Sequence, residues 1–159
     1  MSDVSGKKIA ELLITLNINL VCWSRVHLEQ VFSTNGKGEE EKLTVQQFHI
    51  LLHIRDFGLN TVSDISDFFC LSKSSISLSI SKLVVKGYLK KESPIKGDDG
   101  RKIYFYLTEK GNEAVIATEN ALMDAAGCYF DSFDNETRNI LCNHLTTINH
   151  LLSTGGTVK

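Results

Sequence analysis

Between Ser72 and Lys82 the chain sets short hydroxyls and cations along one stretch of helical spacing: Ser72, Lys73, Ser74, Ser75, Ser77, Leu78 and Lys82. Side chains of this kind approach a phosphate backbone closely, donate to its oxygens and reach base edges at little entropic cost. Further on, PIKGDDGRK places Lys96, Arg101 and Lys102 among the turn residues Pro94, Gly97 and Gly100. A guanidinium at the tip of a hairpin fits a narrow, electronegative minor groove. Asp99, two residues earlier, is suited to pinning Arg101 or capping turn amides. A serine-rich helix face alone is as easily a solvated surface, and Arg101 alone as easily a surface ion pair. The succession of the two favours duplex DNA. Charge agrees: residues 72–110 hold nine Lys/Arg against four acids, a net +5 within a chain of net charge −2. The remainder is acidic, which argues against indiscriminate coating of nucleic acid by every face.

Other chemistries are poorly served. Nucleophilic catalysis needs a base oriented against a nucleophile, and His27, His49, His53, His144 and His150 have no nucleophile motif around them. His49 and His53 are four apart, but Ile50–Leu52 between them lacks the glutamate of an HExxH protease. Cys22, Cys70, Cys128 and Cys142 are scattered without CxxC spacing, so a disulfide framework is not expected and each is read as a reduced, packed thiol. No cofactor or metal is called for.

These residues need elements to hold them. Ile9, Leu12, Leu13, Leu16, Leu20, Trp23 and Val26 recur at three- and four-residue spacing and predict one long amphipathic helix from Lys8 to about Phe32. Asn35–Lys42, with Gly36, Gly38 and Glu39–Glu41, reads as a polar connection. Thr44 and Gln47 form a capping box, opening a helix that carries Phe48, Leu51 and Leu52 and stops before Gly58. Thr61 and Asp64 open a short helix with Val62, Ile65, Phe68 and Phe69. Ser72 opens the next, whose apolar face is Ile76, Ile80, Leu83 and Val84 and which Gly87 ends. Short helix, turn, longer helix is the helix-turn-helix pattern. Leu89–Ser93 and Ile103–Leu107 are predicted strands of a hairpin. A long helix follows Thr108 towards Phe130, and Asp134 caps a last one bearing Ile140, Leu141, Leu145, Ile148, Leu151 and Leu152.

The expected fold is mainly α with a small β-wing: a winged helix-turn-helix dimerising through its N- and C-terminal helices. The small lobe at 44–108 cannot cover the apolar stripes of helices at 8–33 and 109–153, so these are expected to cover each other and a second copy. All 159 residues are read as a single domain. Ile14–Val21 is interrupted by Thr15, Asn17 and Asn19, so no membrane span is expected. The N-terminus has no secretory signal pattern, and the expected compartment is the cytoplasm.

Three stretches together resemble the MarR family of winged helix-turn-helix transcription regulators. LSKSSISLSISKLVVKGYLKK (71–91) is similar to its recognition helix, Asp99-Gly100-Arg101 to its wing Asp-x-Arg, and Leu107-Thr108-Glu109-Lys110-Gly111 to its LTxxG entry into the dimerisation helix. The resemblance covers about residues 8–152. It implies a homodimer on a pseudo-palindromic double-stranded operator, acting as a repressor or, less often, an activator. Ser74, Ser75, Ser77, Leu78 and Lys82 would then face the major groove and Arg101 the minor groove. Leu78 departs from the polar reader of many relatives and leaves contact with a thymine methyl instead.

The resemblance also implies an effector cleft, for which Trp23, His27, Phe48 and Phe57 are the candidates, with His49 and Tyr106 nearby in type, and a small aromatic or lipophilic molecule the expected ligand. Aromatics at helical spacing equally serve a core. Peroxide-sensing relatives carry a cysteine near the start of the first helix, where this chain has Asn17 rather than Cys22. Zinc-sensing relatives add histidines on the helix after the wing, and residues 109–131 contain none. A thiol- or zinc-responsive regulator is thus an alternative, as is a winged helix that binds only protein.

Overall fold

The computed structural model describes residues 4–34, 42–92 and 103–154. The elements are α1 (Gly6–His27), α2 (Glu29–Thr34), α3 (Val45–Phe57), α4 (Val62–Phe69), α5 (Lys73–Val85), β1 (Leu89–Glu92), β2 (Tyr104–Leu107), α6 (Glu109–Phe130) and α7 (Asn135–Thr154). The predicted class, mainly α with a two-stranded wing, is what forms.

Most boundaries follow from capping chemistry. Thr44 and Gln47 make the reciprocal box, with Gln47 N–H to Thr44 Oγ1 at 3.2 Å and Thr44 N–H to Gln47 Oε1 at 3.1 Å. Thr61, Ser72 and Thr108 each accept from the amide three residues on, and Asp134 from Thr137. These bonds satisfy donors that a helix leaves unpaired at its start. At the end of α3, Gly58 takes the left-handed conformation (φ 64) that lacks a Cβ penalty only in glycine.

One boundary differs. The expected single helix from Lys8 to Phe32 breaks at Leu28 into α1 and α2. The turn buries Val31 and brings Phe32 to Phe48, ring centroids 5.7 Å apart. Burial of Val31 and partial burial of Phe32 outweigh the continuity of one helix, since full burial of such a side chain is worth roughly 1.5–3 kcal/mol.

The lobe around α3–β2 holds the core: Phe48, Ile50, Leu51 and Ile54 from α3, Ile65 from α4, Ile76, Ile80 and Leu83 from α5, then Leu89 and Phe105 from the wing, closed by Val115 of α6. The wing strands are antiparallel with Leu89 opposite Leu107 and Lys91 opposite Phe105. Phe105 N–H also donates to Asn60 O at 2.8 Å, tying β2 to the segment after α3. β2 is shorter than expected, since Ile103 lies outside it; Ser93 lies outside the described residues.

The terminal helices are different. No residue of α1 is buried, and Ile9, Leu12, Leu13, Leu20 and Val26 stand exposed. In α7, Ile140, Leu145, Leu151 and Leu152 are exposed as well. An 18-residue window of α1 has mean hydropathy 1.3, so by length and composition α1 is long and apolar enough to cross a membrane, despite Thr15, Asn17 and Asn19. The cysteines depart from expectation too: all four are free and exposed rather than packed. Cys22 and Cys142 sit on these open helices, Cys128 lies near the end of α6, and Cys70 occupies the tight turn after α4.

Candidate nucleic-acid interface

The face of α5 is decided by its apolar residues. Ile76, Ile80 and Leu83 are fully buried, which turns Ser74, Ser75, Ser77, Leu78, Ser81 and Lys82 outward; all of these are exposed, as are Ser72 and Lys73. Leu78, at 60% exposure, projects a large apolar side chain into solvent among hydroxyls. Ser79, between the faces, donates to Gln46 Oε1 of α3 at 3.0 Å and so belongs to the scaffold.

Both ends of α5 are anchored. Before it, the turn closes on itself: Ser66 Oγ donates to Leu71 O at 2.6 Å, and Leu71 N–H returns to Ser66 O at 3.1 Å. Cys70 adopts a left-handed φ of 51 there. After it, Gly87 N–H donates to Val84 O and Tyr88 N–H to Leu83 O, both at 2.9 Å, the paired bonds of a Schellman motif. The start of α6 then clamps this end. Thr108 Oγ1 donates to Gly87 O at 2.6 Å and Lys110 Nζ to Lys86 O at 3.1 Å. A Cβ on Gly111 would lie 2.1 Å from Tyr88 O, so the close approach of α6 to the end of α5 requires glycine. The Thr108–Gly111 motif thus locks the exposed helix to the long helix behind it.

The clamp also revises the charge reading. Lys110 points at the carbonyls closing α5, over the Tyr88 ring at 5.0 Å, where a cation meets the negative end of the helix dipole. Lys86 Nζ donates to Lys42 O at 2.7 Å. Lys90 pairs with Glu92 at 2.7 Å, which holds its ammonium pKa above the ordinary value. Part of the local positive charge therefore serves the fold, while Lys73, Lys82 and Lys91 are exposed. Lys96, Asp99, Gly100, Arg101 and Lys102 lie outside the described residues.

The aromatic set expected to line a cleft does not converge. Phe48 is buried in the lobe core. Phe57 is 67% exposed, stacked with His53 (5.3 Å) beside Phe68. Trp23 and His27 do meet, 5.3 Å apart, where α1 packs on Tyr129 and Phe130 of α6. The indole Nε1 of Trp23 is buried with no hydrogen-bond partner among the described residues. A groove of about 490 Å³ lies elsewhere, between α2, the start of α3 and the end of α5, lined by Glu29, Phe32, Lys42, Gln47, Lys82 and Lys86 among others. Phe48 belongs to the lobe core, and helical spacing alone does not distinguish a core aromatic from a cleft aromatic. Among the described residues no three His, Cys, Asp or Glu side chains gather as a metal site would need.

Helix-turn-helix, exposed second helix, two-stranded wing and flanking long helices define a winged helix-turn-helix DNA-binding protein. A sequence model of the family described as "Transcriptional regulator SarA/Rot" matches residues 34–117. The chain belongs to that family and is a DNA-binding transcriptional regulator, not an enzyme. The fold is that of the MarR regulators. A transcriptional regulator from Thermotoga maritima superposes with TM-score 0.70 at 17% identity, over 94% of this chain and 99% of that one. A MarR regulator from Methanosarcina mazei Go1 gives 0.60 at 23%, over 88% and 95%. MarR from E. coli gives 0.59 at 15%, over 92% and 98%. No curated protein sequence matches significantly.

Proposed function

We propose that the chain acts in the cytoplasm as a homodimeric repressor, with residues 44–108 as the reading lobe and 8–33 and 109–153 as dimerisation helices. The carrying observation is the outward row Ser74, Ser75, Ser77, Leu78 and Lys82 on a helix held rigid at both ends. That row enters the major groove, and Arg101 of the wing, with Lys96 and Lys102 at its flanks, the minor groove. A second copy, rather than lipid, covers α1 and α7: Glu11, Asn17, Asn19 and Arg25 are exposed along α1, and each is costly in hydrocarbon. The test is selection of duplex fragments by the purified protein, followed by affinity at several salt concentrations. Arg101→Ala is expected to weaken and broaden recognition, whereas Lys37→Ala, beside Glu39–Glu41, has little effect. Equal curves for the two, or binding that ignores salt, would overturn the reading.

The effector we propose is a small aromatic or lipophilic molecule bearing an acceptor for Trp23 Nε1, bound beside Trp23 and His27. The buried indole N–H, without an acceptor among the described residues, supports this, since an unmade buried bond costs roughly 1–3 kcal/mol. Titration of a panel of aromatic acids against the fluorescence of the single tryptophan, with operator affinity in parallel, tests it. The two must change reciprocally; a panel that moves neither refutes it.

A further inference from the structure

The reading lobe meets α6 mostly through apolar side chains, which are not directional: Val115 of α6 and Ile54 of α3 are members of one core cluster. Beyond the Thr108–Gly111 clamp, a directional contact joins them. Arg55, in the last turn of α3, donates from Nη1 to Glu119 Oε2 at 2.8 Å and from Nη2 to Glu119 Oε1 at 2.7 Å. The two parallel bonds form a planar fork that tolerates little rotation or sliding. The same guanidinium is braced by its neighbour, with Nε to Asp56 Oδ1 at 2.6 Å and Nη2 to Oδ2 at 3.1 Å. Arg55 is thereby committed to one rotamer, and Asp56 is held below the ordinary aspartate pKa by that contact. Arg55 and Glu119 are only 26% and 32% exposed.

Position gives the fork its leverage. Its α3 end belongs to a helix packed on α5 and linked to it by Ser79–Gln46. Its α6 end lies one residue after buried Thr118, well beyond the clamp at Gly111. The Thr108–Gly111 clamp pins one end of α5 to the start of α6; a second, distant tie is what prevents the lobe from pivoting about that pin. We propose that Arg55 and Glu119 are positioning residues that fix the angle of the reading lobe on α6 and so set the separation at which two copies read DNA. This rests on the homodimeric reading above. A partly exposed ion pair contributes little to stability, so its role is orientation and its variants fold.

The experiment takes a selected operator and varies the distance between its half-sites by single base pairs, using the full-length chain. The parent is expected to prefer one spacing sharply. Arg55→Ala and Glu119→Gln are expected to lose about 5-fold or more at that spacing, to lose much less at neighbouring spacings, and to retain oligomeric mass and melting behaviour. Because both residues act through one contact, Arg55→Ala combined with Glu119→Gln is expected to be no worse than either alone. Unchanged spacing profiles in the folded single variants, or additive losses in the double, would overturn the assignment. A parent without any spacing preference would instead sink the two-helix reading on which it stands.

Discussion

Replacing Gly111 by alanine tests whether the start of α6 really closes on the end of α5. The added Cβ would stand 2.1 Å from Tyr88 O and 3.0 Å from its carbonyl carbon. Both are backbone atoms, so relief requires the chain to move. That carbonyl accepts from Thr108 N–H at 3.0 Å, and Thr108 Oγ1 lies 3.3 Å away. Displacement therefore strains the bonds joining the two helices. Overpacking of this kind costs roughly 1–3 kcal/mol, and loss of a hydrogen bond adds about 1 kcal/mol. Alanine is the better helix former by about 1 kcal/mol, which offsets part of that. The net expectation is a destabilisation of about 1–3 kcal/mol, a fall in Tm of about 3–10 °C for a chain of this size. Gly127, in the same helix, meets nothing within 4 Å, so Gly127→Ala is expected to leave Tm unchanged or raise it slightly. Thermal unfolding of both at one chain concentration decides the matter, concentration being held because association shifts Tm. A Gly111→Ala protein melting at or above the parent would refute the close-approach argument.

Leu78→Asp is expected to reduce operator affinity at least tenfold by facing a carboxylate to DNA, while leaving Tm within a degree or two because the side chain is already exposed; binding isotherms and melting curves read the two effects separately. Leu145→Glu, on the exposed stripe of α7, is expected to yield single chains in sedimentation with the reading lobe still folded; an unchanged dimer mass would place the interface elsewhere. His49 is pushed below its ordinary value of 6.5, first by burial and then by His53. A histidine with a lowered folded pKa adds stability that is complete above the unfolded value and lost as pH falls through 6.5 towards the folded one. Tm is therefore expected to drop between neutral and mildly acidic pH, and His49→Gln to flatten that part of the curve; an identical profile would exclude His49 as the cause.

Local structure was legible in the sequence wherever a few neighbouring residues decide it. Thr44 with Gln47, Thr61, Ser72, Thr108 and Asp134 mark helix starts because each bonds an amide three residues away. Gly58 and Gly87 mark ends because they reach left-handed backbone at no steric cost. The outward face of α5 was legible as well, since the positions of Ile76, Ile80 and Leu83 fix it by helical period alone. What joins distant segments was not. The break at Leu28 depends on where Val31 and Phe32 find a core, and the separation of Phe48 from Trp23 and Phe57 depends on which helices pack. Lys86 and Lys110 count towards the +5 of residues 72–110, yet their ammonium groups settle on Lys42 O and Lys86 O. Arg55 finds Glu119 across 64 residues, a pairing with no periodicity to announce it. Caps and faces depend on spacing along the chain. Clamps, forks and clefts depend on which surfaces meet, and only the packed structure brings those surfaces together.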